Sequence, residues 1–410
     1  MIDLCSYLPP MLYGKELDEA LTVLPPYDPN IVYADTATRL VALSDIYRVF
    51  LSNTMSREIY AKLYLGLLRS LQKKGSQLVP QQYVENQKAI QMEASAGILG
   101  GADSFTVIGA SGIGKSSSIS RSIQLISKTP IIVTDKPYMQ VIPCVMVQTP
   151  FDASVKGLLL EILRAVDAKL GSDYCAKAMH SRNTTVDTLI GCVASVCINH
   201  IGLLVIDEIQ HIVGQKAGDA LARCLMQIIN SSGISIALVG TPSVIPFLSD
   251  GEYQLARRSL GLYYEPMEYD LSFQNLCTTL YRYQYVKSRT ELDESMMRWL
   301  YEHCSGNPSV LVSLLHDAQE CSILDGQETI SYESLNTAYN KRLRMLHPHI
   351  KTTRKPSTSK VKQEVVISKA EPTKTIEEFS IVAIVKDAKK AQQDIVSCLK
   401  RHISVEEVRI

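Results

Sequence analysis

The run Gly109-Ala110-Ser111-Gly112-Ile113-Gly114-Lys115-Ser116 restricts the fold of this chain more than any other stretch. It follows an apolar segment, Phe105–Ile108, and leads directly into helical spacing over Lys115–Ser127. A chain that passes from a buried strand through a glycine-rich turn into a helix presents that helix's N-terminus to the turn. Glycines let the backbone curl, and loop N–H groups with the positive end of the helix dipole together attract an anion. The pattern G-x-x-x-x-G-K-[ST] therefore predicts a triphosphate cradle running from Gly109 to Ser117. In it Lys115 reaches the β- and γ-phosphates, and the Ser116 hydroxyl ligates Mg²⁺ beside ATP. A glycine-rich turn with an exposed lysine would need neither the strand before it nor the helix after it.

Phosphoryl chemistry needs acidic groups next, and Leu203-Leu204-Val205-Ile206-Asp207-Glu208 supplies them at the end of an apolar strand. Asp207 is expected in the Mg²⁺ shell opposite Ser116, with Glu208 orienting the attacking water. A further apolar run, Ile234–Val239, ends in Gly240-Thr241. There Thr241 either bonds the γ-phosphate or the water, or caps the helix begun by Pro242. The string Gln254-Leu255-Ala256-Arg257-Arg258 offers an arginine for transferred-phosphate charge, acting on a neighbouring subunit if it points outward. Arg258 is the candidate, and Arg257 stays open as the alternative.

Short apolar runs alternate with helical stretches from Phe105 to Leu271: Phe105–Ile108, Val141–Val147, Leu203–Ile206, Ile234–Val239 and, more weakly, Leu262–Tyr264. Continuous apolar strands between helices predict a buried parallel sheet of five strands in an α/β fold. Beyond Leu271 only helical spacing follows. The organisation expected is a helical N-terminal extension that docks partners (1–95), an α/β core (96–270), a helical lid (271–347), a basic linker (348–378) and a C-terminal segment (379–410). The stretch Lys341–Thr375 carries ten Lys and Arg against two acidic residues, a composition that cannot bury a core. It reads as a linker, with a DNA-attracting arm as the alternative.

Taken together, Gly109–Ser116, Asp207–Glu208, Thr241 and Arg258 before an all-helical lid resemble an AAA+ ATPase. The surrounding text is similar to the TnsC/TniB family of ATP-dependent transposition regulators. The matching pieces are Thr129-Pro130, Pro137-Tyr138, Val147-Gln148-Thr149-Pro150, Gly157-Leu158-Leu159, Val166-Asp167 with Leu170-Gly171, Tyr174, and Ile201 through Ile212. The proline-rich N-terminal stretch with Tyr33–Leu40 also looks like that family's extension. The resemblance implies an ATP-bound homo-oligomer, ring or helical filament, on double-stranded target DNA. It implies partners too: a target selector of TniQ/TnsD type, and transposase and endonuclease subunits of TnsB and TnsA type. By family position Arg258 would act in trans. The chain departs from many AAA+ proteins at Ser305-Gly306-Asn307-Pro308-Ser309, which has no arginine where a second sensor arginine often sits.

Lys128, Lys136 and Lys156 fall where the resemblance would line a DNA channel, and solvated surface lysines are the plain alternative. The 42 basic residues balance 42 acidic ones, so any DNA contact must be local. Ten scattered cysteines without metal spacing read as reduced, mostly buried thiols. The N-terminal residues lack a secretory pattern, and no apolar run reaches the ~18 residues of a membrane span. A cytoplasmic protein, nucleoid-associated when active, is expected, with no membrane partner. Two rival functions share the same loop and acids: a replication initiator or helicase loader, and an ATP-gated scaffold without turnover.

Overall fold

The computed structural model describes residues 3–75, 104–135, 138–150, 154–180, 185–211, 218–249 and 261–346. All of these lie in one contact unit, Met1–Thr353; the other unit, Arg354–Ile410, holds most of the expected linker and all of the C-terminal segment, outside the described residues.

Six strands form one sheet: β1 (Phe105–Gly109), β2 (Ile132–Asp135), β3 (Tyr138–Gln148), β4 (Ile201–Asp207), β5 (Ser235–Gly240) and β6 (Leu262–Tyr264), in the order β2-β3-β4-β5-β1-β6. The five expected strands are parallel, as continuous burial on both faces demands; every residue of β1, β4 and β5 is buried. The sixth strand, β2, corrects the five-stranded expectation. It pairs antiparallel with the start of β3, Ile132 opposite Val141. Only alternate residues of β2 are buried, so it gives no continuous apolar run. Pro143 lies past that hairpin, where among the described residues β3 has no partner on its β2 side, the place a strand tolerates proline.

Thirteen α-helices are described: α1 (Gly14–Leu21), α2 (Thr36–Leu43), α3 (Thr54–Gly75), α4 (Lys115–Ile126), α5 (Val155–Leu170), α6 (Tyr174–His180), α7 (Val186–His200), α8 (Gly218–Ser232), α9 (Ile245–Ser249), α10 (Leu271–Tyr281), α11 (Glu294–Cys304), α12 (Pro308–Leu324) and α13 (Tyr332–Thr337). The short α1 and α6 were not apparent in the sequence. Helical spacing continues to Leu346, but α13 stops at Thr337 and the chain goes on as a wider π turn and then a tighter 3-10 turn.

Alternation along the strands sends side chains to two cores. Leu204, Ile206, Ile236 and Leu238 face α5, α7 and α8, while Leu203, Val205, Ala237 and Val239 face α3 and α4. The second layer is built in part by the N-terminal segment. Ile59, Tyr60, Leu63, Leu67 and Leu71 recur at helical spacing along α3, and none is more than 1% exposed. Burying each of the four aliphatic side chains among them stabilises the layer by about 2 kcal/mol. The Ser235 hydroxyl of β5 donates to the Gly66 carbonyl at 3.1 Å, fixing α3 against the sheet.

The lid helices α10–α13 close a third core, which also takes Leu43 and Ile46 from the N-terminal segment. Cys144, Cys175, Cys197, Cys224, Cys277 and Cys304 are buried and unbridged. Burial pushes the Cys144, Cys197 and Cys224 thiols up to about 12, so they stay protonated. Among the described residues no helix is long and apolar enough to cross a membrane.

Candidate nucleotide site

Parallel pairing brings the C-terminal ends of β1, β4 and β5 to one edge of the sheet, the edge where α/β folds collect ligands. β1 ends at Gly109 and α4 starts at Lys115, so the glycine-rich run is the loop between them. Gly112 and Gly114 adopt φ of +82° and +96°, left-handed values that side chains resist. They bend the loop back over the start of α4.

Lys115 is 9% exposed and folds onto the loop itself, its ammonium donating to the carbonyls of Gly109 (2.8 Å) and Ala110 (2.9 Å). Burial lowers its pKa, and the nearby Asp207 and Glu208 charges oppose that shift. The Ser116 hydroxyl donates to Asp207 Oδ2 at 2.6 Å. The two groups expected to share a metal thus meet across 91 residues of sequence. Asp207 is 2% exposed, and its other oxygen accepts the Glu208 N–H at 2.8 Å.

Glu208 has φ +59°, an uncommon value for a residue with a side chain and one that clusters at functional sites. Its carboxylate accepts a hydrogen bond from the Gln210 amide and lies 4.0 Å from the His211 ring nitrogen. The Gln210 carbonyl oxygen in turn accepts the Thr241 N–H at 3.3 Å, so one side chain ties the end of β4 to the end of β5. Thr241 stands at the N-cap position of the 3-10 turn Pro242–Val244, but its hydroxyl caps no backbone N–H and pairs with Ser243 at 2.8 Å.

Two contributors escaped the sequence reading as site residues. Thr149, 3% exposed at the end of β3, gives both its N–H (3.0 Å) and its hydroxyl (2.9 Å) to the Asp207 carbonyl. Its sequence signals are a hydroxyl residue at a neighbouring strand end and its place in the matching piece Val147-Gln148-Thr149-Pro150. Gln210 is the other, two residues beyond the acids and legible only as part of a longer string. The remaining expectations divide. Lys128 is exposed past the far end of α4, and Lys156 is exposed in the first turn of α5 on the other layer, so the two do not converge. Lys136, Gln254, Arg257 and Arg258 lie outside the described residues.

Residues 98–248 match a protein-family model described as an AAA domain. With the sheet order and the loop, this defines the core as a mixed α/β P-loop AAA+ fold. No curated protein matches the chain. Solved structures similar to it include the Aeropyrum pernix ORC1 protein in complex with DNA, at 14% identity and a TM-score of 0.42 over 64% of this chain. The A. pernix ORC2 protein in its ADPNP and ADP complexes follows at 14% and 0.39, again over 64% of this chain. The chain spans 63% and 66% of those two structures. Domain III of the Thermotoga maritima replication initiation protein DnaA matches at 12% and 0.37, over 76% of this chain and 97% of that one.

Proposed function

We propose that this chain is an ATP-hydrolysing AAA+ regulator of DNA transposition, one that assembles on double-stranded target DNA with ATP and disassembles on hydrolysis. The observation that carries the hydrolytic part is the 2.6 Å contact between the Ser116 hydroxyl and Asp207 at the mouth of the loop. A hydroxyl and a carboxylate are hard oxygen donors of the kind Mg²⁺ takes, and Asp207 is too buried to serve solubility. When bound there, Mg²⁺ supplies charge neutralisation between the phosphates.

The chain's own residues do the rest. The Lys115 ammonium exchanges its two carbonyl partners for phosphate oxygens, and the loop N–H groups hold the remaining charge. Glu208, released from Gln210, orients a water and takes its proton. Arg258 from an adjacent copy is the candidate for charge developing on the transferred group. The transposition setting draws its support from the sequence resemblance between residues 104 and 258, including Ile201 through Ile212. On this reading the target selector, transposase and endonuclease are the protein partners, and the exposed Lys128 and Lys156 are candidate backbone contacts.

The test is Lys115→Ala, assayed for nucleotide binding, turnover and assembly on duplex DNA. Loss of all three is expected; undiminished assembly and turnover would remove the mechanism. Turnover indifferent to duplex DNA would instead favour a scaffold, and dependence on a helicase partner would favour a loader.

A further inference from the structure

The start of lid helix α12 touches the phosphate loop through the Asn307 side chain and the Ser309 N–H. Helix α11 ends at Cys304, and Ser305 (φ +49°) and Gly306 (φ +69°) then turn the chain through two left-handed steps. The second step must be glycine. A Cβ at Gly306 would lie 1.9 Å from the Met267 carbonyl oxygen, and the Met267 N–H donates to the Gly306 carbonyl at 2.9 Å. The turn is thereby pinned to the segment joining β6 to the lid, and it delivers Asn307 to the loop.

Asn307 uses both ends of its amide. Its Oδ1 accepts the Ser309 N–H at 3.0 Å, capping α12, while its Nδ2 donates to the Ser111 carbonyl at 2.8 Å. The Ser309 N–H is shared with the Gly112 carbonyl at 3.1 Å. A Cβ at Gly112 would stand 2.8 Å from Asn307 Oδ1, so the approach itself requires glycine there.

A trans peptide is planar, with its C=O and the following N–H on opposite sides. Holding the Ser111 and Gly112 carbonyls toward the lid therefore turns the Gly112 and Ile113 N–H groups the other way, to the inner side of the loop where a phosphate would sit. We propose that Asn307 is a positioning residue for this loop: a neutral latch through which the lid preorganises the phosphate-binding N–H groups. The proposal rests on the nucleotide site argued above and deepens it. An arginine at the start of α12 would act on the phosphate by charge; Asn307 acts on the loop by geometry. Because the coupling is reciprocal, nucleotide in the loop tightens the lid by the same factor that the latched lid tightens nucleotide.

Two substitutions separate the latch from the helix cap. Asn307→Asp and Asn307→Ser both keep a capping oxygen. Neither can donate to Ser111: the carboxylate has no proton to give, and the serine is too short. Ser is neutral, so it also controls for charge near the phosphates. Both full-length variants are expected to melt close to the parent. Both should bind a fluorescent ATP analogue with Mg²⁺ about three- to tenfold more weakly, the effect of one lost hydrogen bond. In the nucleotide-free protein their loop amides should exchange with deuterium faster than the parent's. Asn307→Ala loses cap and latch, and should add a lower melting temperature to the same loss of affinity. Parent-like affinity together with parent-like loop exchange in the Asp and Ser variants would overturn the latch. If the parent chain itself binds no ATP, the nucleotide reading fails, yet loop exchange without nucleotide still decides whether Asn307 holds the loop.

Discussion

Lys115 and Asp207 at the edge of the sheet and Arg39 at the joint between the N-terminal segment and the lid are all buried, but they are bonded differently. At the sheet edge, Lys115, Ser116 and Glu208 bond to groups they can exchange: loop carbonyls, Asp207 and the Gln210 amide. At the joint, Arg39 of α2 is 1% exposed and meets Glu328 in a two-pronged pair at 2.6 and 2.7 Å, with a further bond to the Tyr285 carbonyl at 3.2 Å. Tyr27, Tyr283 and Tyr285 pack edge to face around it. The first arrangement is a set of replaceable contacts awaiting a stronger anion or cation. The second is a mutual pair whose members bond each other, although Arg39 Nε is buried without a hydrogen-bond partner among the described residues. Burial alone therefore does not mark a working site; replaceable partners do.

The largest expected effect breaks the comparison on its catalytic side. Glu208→Gln removes the carboxylate but preserves the shape, so turnover should fall by about 10²-fold or more, the usual worth of a general base. Nucleotide affinity should stay near that of the parent, and DNA-bound assemblies should persist longer. Measured in single-turnover and filter-binding assays, a parent-like hydrolysis rate would show that Glu208 does not handle the water.

Next in size is the structural side. Arg39→Met leaves Glu328, half-buried and still beside Lys287, without its main partner, which should cost less than the ~3–5 kcal/mol of breaking a fully buried pair. Thermal melting should fall, with the lid opening first in hydrogen exchange. The Arg39 guanidinium holds the Glu328 carboxyl below its ordinary range, with Lys287 assisting. A depressed carboxyl contributes stability above its unfolded pKa of about 4.3 and loses it as pH falls through the folded value. The parent should therefore weaken steeply below about pH 4, and Arg39→Met should show a shallower acid limb. Equal acid limbs would mean the pair contributes no pH-dependent stability.

The contrast also explains what the sequence made legible. Loop, acids and the five parallel strands were readable because each rests on local spacing: glycines before a lysine, or an apolar run ending in two acids. The hairpin strand β2 was not, since one exposed face hides it among loop residues. Nor was the place of α3: Leu67 and Leu71 sit at helical spacing in the sequence, which does not say what they pack on. Arg39 and Glu328 are 289 residues apart, and nothing near either names the other. Asn307 was read for the arginine missing beside it, when the backbone it bonds lies 196 residues away. Chemistry written in short motifs survives translation into sequence; chemistry assembled by long-range packing does not.

Gln210 lies between the two kinds of group and gives the smallest effect. Its amide restrains Glu208 and its carbonyl holds the Thr241 N–H, so it could act as catalytic restraint or as structural tie. Gln210→Ala frees the carboxylate and leaves the Thr241 N–H without that acceptor. If the bond to Glu208 restrains it in an unproductive position, basal ATP turnover without DNA should rise by about two- to fivefold with KM little changed, the scale of one neutral hydrogen bond. If the tie between strand ends dominates, turnover should fall and melting drop together. Gln210→Glu sharpens the outcome, because a second carboxylate beside Glu208 raises the pKa of the pair. The acidic limb of the pH–rate profile should then move to higher pH. A profile and basal rate identical to the parent in both variants would place Gln210 with the fixed pairs of the joint rather than with the exchangeable groups of the sheet edge.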